Sequence, residues 1–345
     1  MSSIYKDYLS HGKVQEHYNY TKGIPESQLT PSRQAAQAVI LAICVASVLE
    51  NLLVLGAVAR NRRLHSAMYL FLGNLALSDL LAGATFMANV LLSGPRTFQL
   101  TPVAWLAREG SAFTALSASV FSLLAIAVER HVAVARVRVY GAVGGGGRRV
   151  LGLLGACWVV ALAIGGLPIL GWNCLGRLEA CSTVLPLYAK PYVVLVASAF
   201  MVILAAIAGL YARIYCVARA SHAELAGPRA LALLRTVAIV LGVFVACWLP
   251  TFAILLLDAS CPHRACPILA QAHYFFSFAT LNSLLNPIIY TWRSRELRGE
   301  VLRMLGCRQG RRPPVGRAPG GRSTSGPPRP SGPSSPTLLE GQTMV

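Results

Sequence analysis

Residues 67–92 read AMYLFLGNLALSDLLAGATFMANVLL, and the only charged side chain in those 26 positions is Asp79. At ~1.5 Å per residue, a helix of that length exceeds the ~30 Å hydrocarbon layer of a bilayer. Six further apolar runs of about 20 residues or more flank it, at 35–59, 104–135, 150–170, 190–218, 231–257 and 271–292. The chain is 55% hydrophobic and 13% charged, too little polar surface to cover a soluble globule of 345 residues. The expected fold class is an all-α membrane protein, a seven-transmembrane helix bundle over residues 35–292.

The formal charge is +18. In a soluble chain that would suggest nucleic acid, but no basic face accompanied by groove-reading or aromatic elements is present, and no nucleic-acid partner is expected. The charge follows the spans instead. With the N-terminus outside, 22 of 31 Lys and Arg and five of 13 acids fall on the cytosolic side, which then carries about +17. The positive-inside rule therefore predicts a multi-pass plasma-membrane protein with an extracellular N-terminus and a cytoplasmic C-terminus. No apolar h-region with a small-residue cleavage site precedes Gln34, so the first span is expected to serve as signal anchor.

Residues 1–34 are polar, too short for a domain of their own and long enough to lie over the mouth of a bundle. They hold the only N-x-S/T sequon, at Asn19, a candidate N-glycosylation site. Residues 293–307 read as an amphipathic helix on the inner leaflet, with Leu297, Val301, Leu302 and Leu305 on one face. Cys307 at its end is a candidate for palmitoylation. Residues 308–345, rich in Gly, Pro, Ser and Arg, are expected to form a disordered cytoplasmic tail. Cys174 with Cys181, and Cys261 with Cys266, fall in two outside loops and are expected to close two local disulfides. Cys44, Cys157 and Cys247 fall inside spans as small buried hydrophobes.

An ionisable group in hydrocarbon is expensive, so each one calls for a reason. Asp79 stands mid-span; together with Asn51, Ser283 and Asn286 it could line a hydrated pocket for Na+ or form a purely structural hydrogen-bond cluster, and the residues alone favour neither. Pro287 and Tyr290, in Asn286-Pro287-Ile288-Ile289-Tyr290, give the last span a kink and further polar lining. Glu129-Arg130-His131 ends the third span as an acid beside a base, either a switch that opens with the bundle or an ordinary interfacial ion pair. Arg108-Glu109, near the other end of that span, sets a guanidinium beside a carboxylate. A ligand carrying both phosphate and ammonium would satisfy the two together. Phe113, Leu116, Trp248, Phe252, Leu255 and Phe276 would suit its alkyl chain, or are core packing. Neither a metal cluster nor a catalytic constellation appears, and no internal repeat supports a transporter.

Asn51, Asn74-Leu75-Ala76-Leu77-Ser78-Asp79, Glu129-Arg130-His131, Trp158, Cys247-Trp248-Leu249-Pro250 and Asn286-Pro287-Ile288-Ile289-Tyr290 follow one another in the order seen in rhodopsin-like G-protein-coupled receptors, and over residues 35–307 the chain resembles that class. Residues 165–174, 181–188 and Arg108-Glu109-Gly110-Ser111 are similar to the sphingosine-1-phosphate receptors. Residues 13–22, the short third inner loop and residues 338–345 resemble a single subtype of them.

The resemblance implies a non-enzymatic receptor that activates heterotrimeric G proteins of the twelve/thirteen, inhibitory and Gq classes, with Rho signalling, contacts to membrane lipids and an arrestin contact through the tail. It implies that Arg108 binds the lipid phosphate with Tyr18 and Lys22, that Asn89 and Glu109 take the amine and hydroxyl, and that the tail descends toward Trp248. Asp79, Glu129, Arg130, Trp248, Asn286, Pro287 and Tyr290 would form the activation switch. Trp105 stands where most of the class carries a cysteine, and Glu-Arg-His replaces the usual Asp-Arg-Tyr. Receptors for lysophosphatidic acid, which has a phosphate and no amine, are the nearest alternative.

Overall fold

The computed structural model describes residues 3–21, 31–140, 147–220, 228–262 and 265–306. Among them the chain forms α1 (Ser3–Leu9), α2 (Lys13–Thr21), α3 (Pro31–Arg60), α4 (Ala67–Leu91), α5 (Pro95–Phe98), α6 (Pro102–Tyr140), α7 (Gly147–Gly166), α8 (Lys190–Ala220), α9 (Pro228–Ser260), α10 (Ala272–Arg293) and α11 (Arg295–Met304). Seven of these are bundle-length. Several begin at proline, whose missing N–H is one of the donors a first turn leaves unpaired anyway. α3, α6, α8 and α9 run past the apolar segments of the sequence, because hydropathy marks only the part of a helix that lies in lipid. The longest, α6, has 39 residues, or ~58 Å at the usual rise.

The long helices close a ring. α3 packs on α4, α4 on α6, α6 on both α7 and α8, α8 on α9, α9 on α10, and α10 returns to α3 and α4. Six of the seven are long and apolar enough by composition to cross a membrane. The seventh, α10, falls short because Thr280, Asn282, Ser283 and Asn286 lower its hydropathy, and all four are buried against the other helices. Their burial makes α10 a lining element as much as a lipid-facing one.

The N-terminal segment is more ordered than its polarity suggests. α1 and α2 are joined through Gly12, whose φ of +92° is open to glycine at little cost. Val14, His17 and Thr21 recur at helical spacing and are buried, with α2 lying on α5, α6 and the short turn Leu178–Ala180. Both predicted disulfides are formed, with Cα separations of 5.4 Å for Cys174–Cys181 and 6.2 Å for Cys261–Cys266. At the opposite end α11 buries Leu297 and Val301, while Leu305 is exposed. Glu300 is also buried there, accepting from Asn61 Nδ2 at 3.1 Å and pairing with Arg303 at 3.0 Å.

Candidate functional site

Arg108 and Glu109 lie in the second turn of α6 and engage each other. The Arg108 Nη2 and Nε donate to Glu109 Oε1 at 2.8 and 3.1 Å. Its Nη1 donates to the Leu92 carbonyl at 3.2 Å and to Thr97 Oγ1 at 3.5 Å, and the guanidinium stands 6.0 Å from the Trp105 ring. Both side chains are largely buried, 10% and 16% exposed. An ion pair so enclosed is strong and its members leave it only for equivalent partners.

Tyr18 reaches this pair from α2. Its ring meets Phe98 at 5.5 Å and Trp105 at 6.4 Å. Burial, and then the negative charge of Glu109, push its phenol up to about 12. Asn89 sits one turn before Leu92 on α4, and its Oδ1 is buried with no hydrogen-bond partner among the described residues. Lys22 lies outside the described residues.

Two glycines determine how α6 is held. A Cβ on Gly110 would run into the Gly165 carbonyl of α7, and one on Gly165 would strike Thr114 Oγ1. Helices meet this closely only where neither carries a side chain. The residue directly after Glu109 is therefore wedged against α7.

Residues 181–189 form a loop segment, all of it buried, over the same end of the bundle. Two buried groups fasten it. The Asp258 carboxylate, at the end of α9, accepts from the Ser182 hydroxyl and, at 2.9 Å, from the Thr183 N–H. His17 Nδ1 lies 3.3 Å from Cys181 Sγ, and burial pushes the imidazole down to about 4. His17, Cys174 and Cys181 come within metal-binding reach of one another, but the two sulfurs are joined to each other and offer no thiolate.

The six residues predicted to line an alkyl chain are part of one aromatic and aliphatic interior. Phe113 meets Tyr188 at 5.3 Å and Tyr192 at 6.2 Å. Trp248 stacks between Phe244 and Phe252, and Phe252 meets Phe200 at 5.8 Å. Leu116 and Leu255 are buried, and Phe276 packs against the core half-buried. Tyr188, Tyr192, Phe200 and Phe244 were not picked out from the sequence; being spread over two helices and a loop, they share no periodic signal.

Below Trp248 a small cavity is lined by Asp79, Phe86, Leu116, Ser119, Asn282 and Ser283 among others. It has room for a water or a bare cation and none for a lipid headgroup. Asp79 accepts from Asn286 Nδ2 at 2.8 Å and from Ser283 Oγ at 3.4 Å, and Asn51 Nδ2 donates to the Ser283 carbonyl at 3.0 Å. The four sequence-chosen residues are thus joined, with Ser119 and Asn282 added. The Oδ1 atoms of Asn51, Asn282 and Asn286 are buried without hydrogen-bond partners among the described residues, a donor set that fits a small cation. Pro287 and Tyr290 are buried on the same helix.

At the far end of α6, Glu129 faces Arg149 Nη2 of α7 at 3.8 Å. The Arg130 side chain, expected to pair with Glu129, lies outside the described residues. Asn74 bridges α4, α6 and α7, donating to Ser122 Oγ at 2.7 Å and accepting from Trp158 Nε1 at 2.8 Å. The sequon residue Asn19 is half-buried on α2, and Cys307 falls outside the described residues.

The sequence model of the family described as "7 transmembrane receptor (rhodopsin family)" matches residues 50–290. The chain is 63% identical to "Sphingosine 1-phosphate receptor 2" of Homo sapiens, an alignment covering 100% of both chains. It is 54% identical to "Sphingosine 1-phosphate receptor 5" of Sus scrofa, over 86% of this chain and 78% of the relative. With "Sphingosine 1-phosphate receptor 3" of Takifugu rubripes it shares 51% identity, over 83% and 76%. Type 2 is the subtype that residues 13–22, the short third inner loop and residues 338–345 resemble.

Proposed function

The chain belongs to the rhodopsin family of seven-transmembrane receptors, and within it to the sphingosine 1-phosphate receptors; from that premise we propose that it binds sphingosine-1-phosphate at the Arg108–Glu109 end of the bundle and transmits the event to G proteins at the other. It is a multi-pass plasma-membrane receptor and not an enzyme. The N-terminus faces outward and the basic C-terminus inward, as the positive-inside distribution supports.

The observation that carries the ligand reading is the enclosed ion pair. The lipid phosphate takes the Arg108 guanidinium bidentately, with Tyr18 and Lys22 beside it. The ammonium takes Glu109, and Asn89, with its unpartnered Oδ1, accepts from the amine or hydroxyl. The alkyl chain runs past Phe113 and Leu116 toward Trp248, Phe252, Leu255 and Phe276. Bound lipid favours a state in which α9 swings outward, freeing Arg130 and opening a cleft for a G-protein helix; it shifts that equilibrium only as far as it prefers that state. Glu129, Asp79, Asn286, Pro287 and Tyr290 form the relay, and Na+ held by Asp79, Asn51, Ser283 and Asn286 favours the resting state. Coupling runs to the twelve/thirteen class, with Rho activation, and to the inhibitory and Gq classes, and the tail engages arrestin. Asn19 carries an N-glycan and Cys307 a palmitoyl chain.

The test is G-protein activation in membranes from cells expressing the chain, dosed with sphingosine-1-phosphate or lysophosphatidic acid, with Arg108→Ala as control. Activation by the former alone, lost in Arg108→Ala at normal surface density, is the expected result. A surface-exposed receptor silent to sphingosine-1-phosphate would sink the ligand reading, and a response to lysophosphatidic acid alone would transfer it to that lipid.

A further inference from the structure

One hydroxyl near the ion pair is buried and has no partner. Tyr188 is 0% exposed, and its phenol oxygen makes no hydrogen bond among the described residues. A buried polar group without a partner forfeits the hydrogen bonds it had in water, so a fold shaped for stability alone would carry phenylalanine here.

The ring is nonetheless held firmly. It meets Trp105 at 5.8 Å and Phe113 at 5.3 Å. Those two residues lie eight apart on α6, and Glu109 is four from each, on the same helical face. Tyr188 thus spans the turn that presents Glu109, close enough for the carboxylate charge, after burial, to raise its phenol further. The backbone is equally constrained. Ser182 N donates to the Tyr188 carbonyl at 2.8 Å and Tyr188 N to the Leu185 carbonyl at 3.1 Å. The preceding residue, Leu187, adopts φ of 70°, the left-handed region that a leucine enters only when its surroundings force it. Backbone strain of this kind, next to an enclosed ion pair, is a sign of a side chain placed for use.

We propose that Tyr188 is a second specificity-determining residue of the headgroup site, its phenol oxygen accepting a hydrogen bond from the ligand ammonium whose charge Glu109 neutralises. The proposal rests on the ligand reading above. An ammonium has three donors, and Glu109 and Asn89 account for at most two of them in the reading above, so a further acceptor beside them completes the set. The rings of Trp105 and Tyr188 add faces that attract a cation. A lipid with phosphate and no amine offers the phenol oxygen nothing.

The experiment is Tyr188→Phe in the full-length receptor, with competition binding of sphingosine-1-phosphate and of its analogue bearing hydrogen in place of the amine, and with thermal inactivation of the ligand-free protein. Loss of one hydrogen bond to a charged group should weaken sphingosine-1-phosphate about tenfold. The amine-less analogue should change less than about twofold, and the ligand-free variant should be as heat-stable as the wild type or more so. Unchanged sphingosine-1-phosphate affinity overturns the proposal. So does equal weakening of both lipids, which would put the hydroxyl on the phosphate, and so does a less stable or misfolded variant, which would make its role structural. If the wild-type chain itself ignores sphingosine-1-phosphate, the ligand reading fails and takes this proposal with it, whereas a responsive wild type with an indifferent Tyr188→Phe refutes this proposal alone.

Discussion

Removing the Asp258 carboxylate should loosen the loop over the ligand site by a predictable amount. Asp258 is fully buried, accepts from the Ser182 hydroxyl and the Thr183 N–H, and pairs with no cation among the described residues. Hydrogen bonds to a charged acceptor contribute ~1.5–3 kcal/mol each, and Asp258→Ala orphans both donors. Part of that loss is offset, because the buried charge and its desolvation disappear with the side chain. The Ser182 oxygen also keeps its other role, accepting from Leu185 N at 2.8 Å. The net expectation is a destabilisation of ~2–4 kcal/mol for Asp258→Ala, and roughly half that for Asp258→Asn, which retains an acceptor without its charge. Thermal inactivation of the ligand-free, detergent-solubilised receptor should rank wild type above Asp258→Asn above Asp258→Ala. Ser182→Ala combined with Asp258→Ala should cost less than the two singly, with a coupling of ~1–2 kcal/mol. An Asp258→Ala protein as heat-stable as wild type, or strict additivity with Ser182→Ala, would show that the clamp contributes nothing.

Gly110→Ala should cost at least ~1–3 kcal/mol and reduce surface expression, because its methyl meets a backbone carbonyl of α7 that cannot move aside; normal expression and stability would mean that α6 and α7 separate easily. Glu109→Gln should shift preference from sphingosine-1-phosphate toward lysophosphatidic acid in a dosing assay, and unchanged selectivity would remove the reason for placing the amine there. His17, buried neutral and pushed down to about 4 from an ordinary value near 6.5, binds its proton more readily in the unfolded chain. The docking of α2 is therefore fully stabilised above pH ~6.5 and weakens as pH falls toward 4, by up to ~3 kcal/mol; hydrogen exchange over residues 14–21 should rise across that window in wild type and not in His17→Phe. Arg149→Ala should change basal G-protein activation, since it leaves Glu129, whose side chain is 15% exposed, without the guanidinium 3.8 Å away; unchanged basal activation would show that Glu129–Arg149 has no part in the resting state.

The bundle was legible because lipid imposes a length on apolar sequence, and six of the seven long helices meet it on composition alone. α10 was legible for another reason: its polar residues dilute hydropathy, and Asn286-Pro287-Ile288-Ile289-Tyr290 identifies it by resemblance. α1 and α2 were not legible as helices. Segments of seven and nine residues are too short to hold helical structure by propensity, and docking on the rest of the chain supplies what they lack. Of the site, Arg108 and Glu109 stood out because charges in an apolar setting demand a reason. Asp258 and Tyr188 did not, since their meaning lies in contacts across 76 and 83 positions with Ser182 and Trp105, and no periodicity reports such pairings.

The engagement of Arg108 with Glu109 bears directly on ligand choice, and adjacency in sequence did not establish it. A phosphate arriving alone would draw the guanidinium away and strand a carboxylate that is 16% exposed, at a cost of several kcal/mol for a buried unpaired charge. An amine arriving alone would strand the guanidinium. On the proposed reading a zwitterionic headgroup avoids both losses, because it inserts between the two side chains and exchanges one ion pair for two without leaving any charge alone. Selectivity then comes from the penalty that each half-ligand incurs as much as from the contacts the whole ligand makes. Tyr188 belongs to the same logic: its oxygen waits without a partner until an ammonium donor arrives, so the site is slightly destabilised when free and completed only by a lipid carrying both charges.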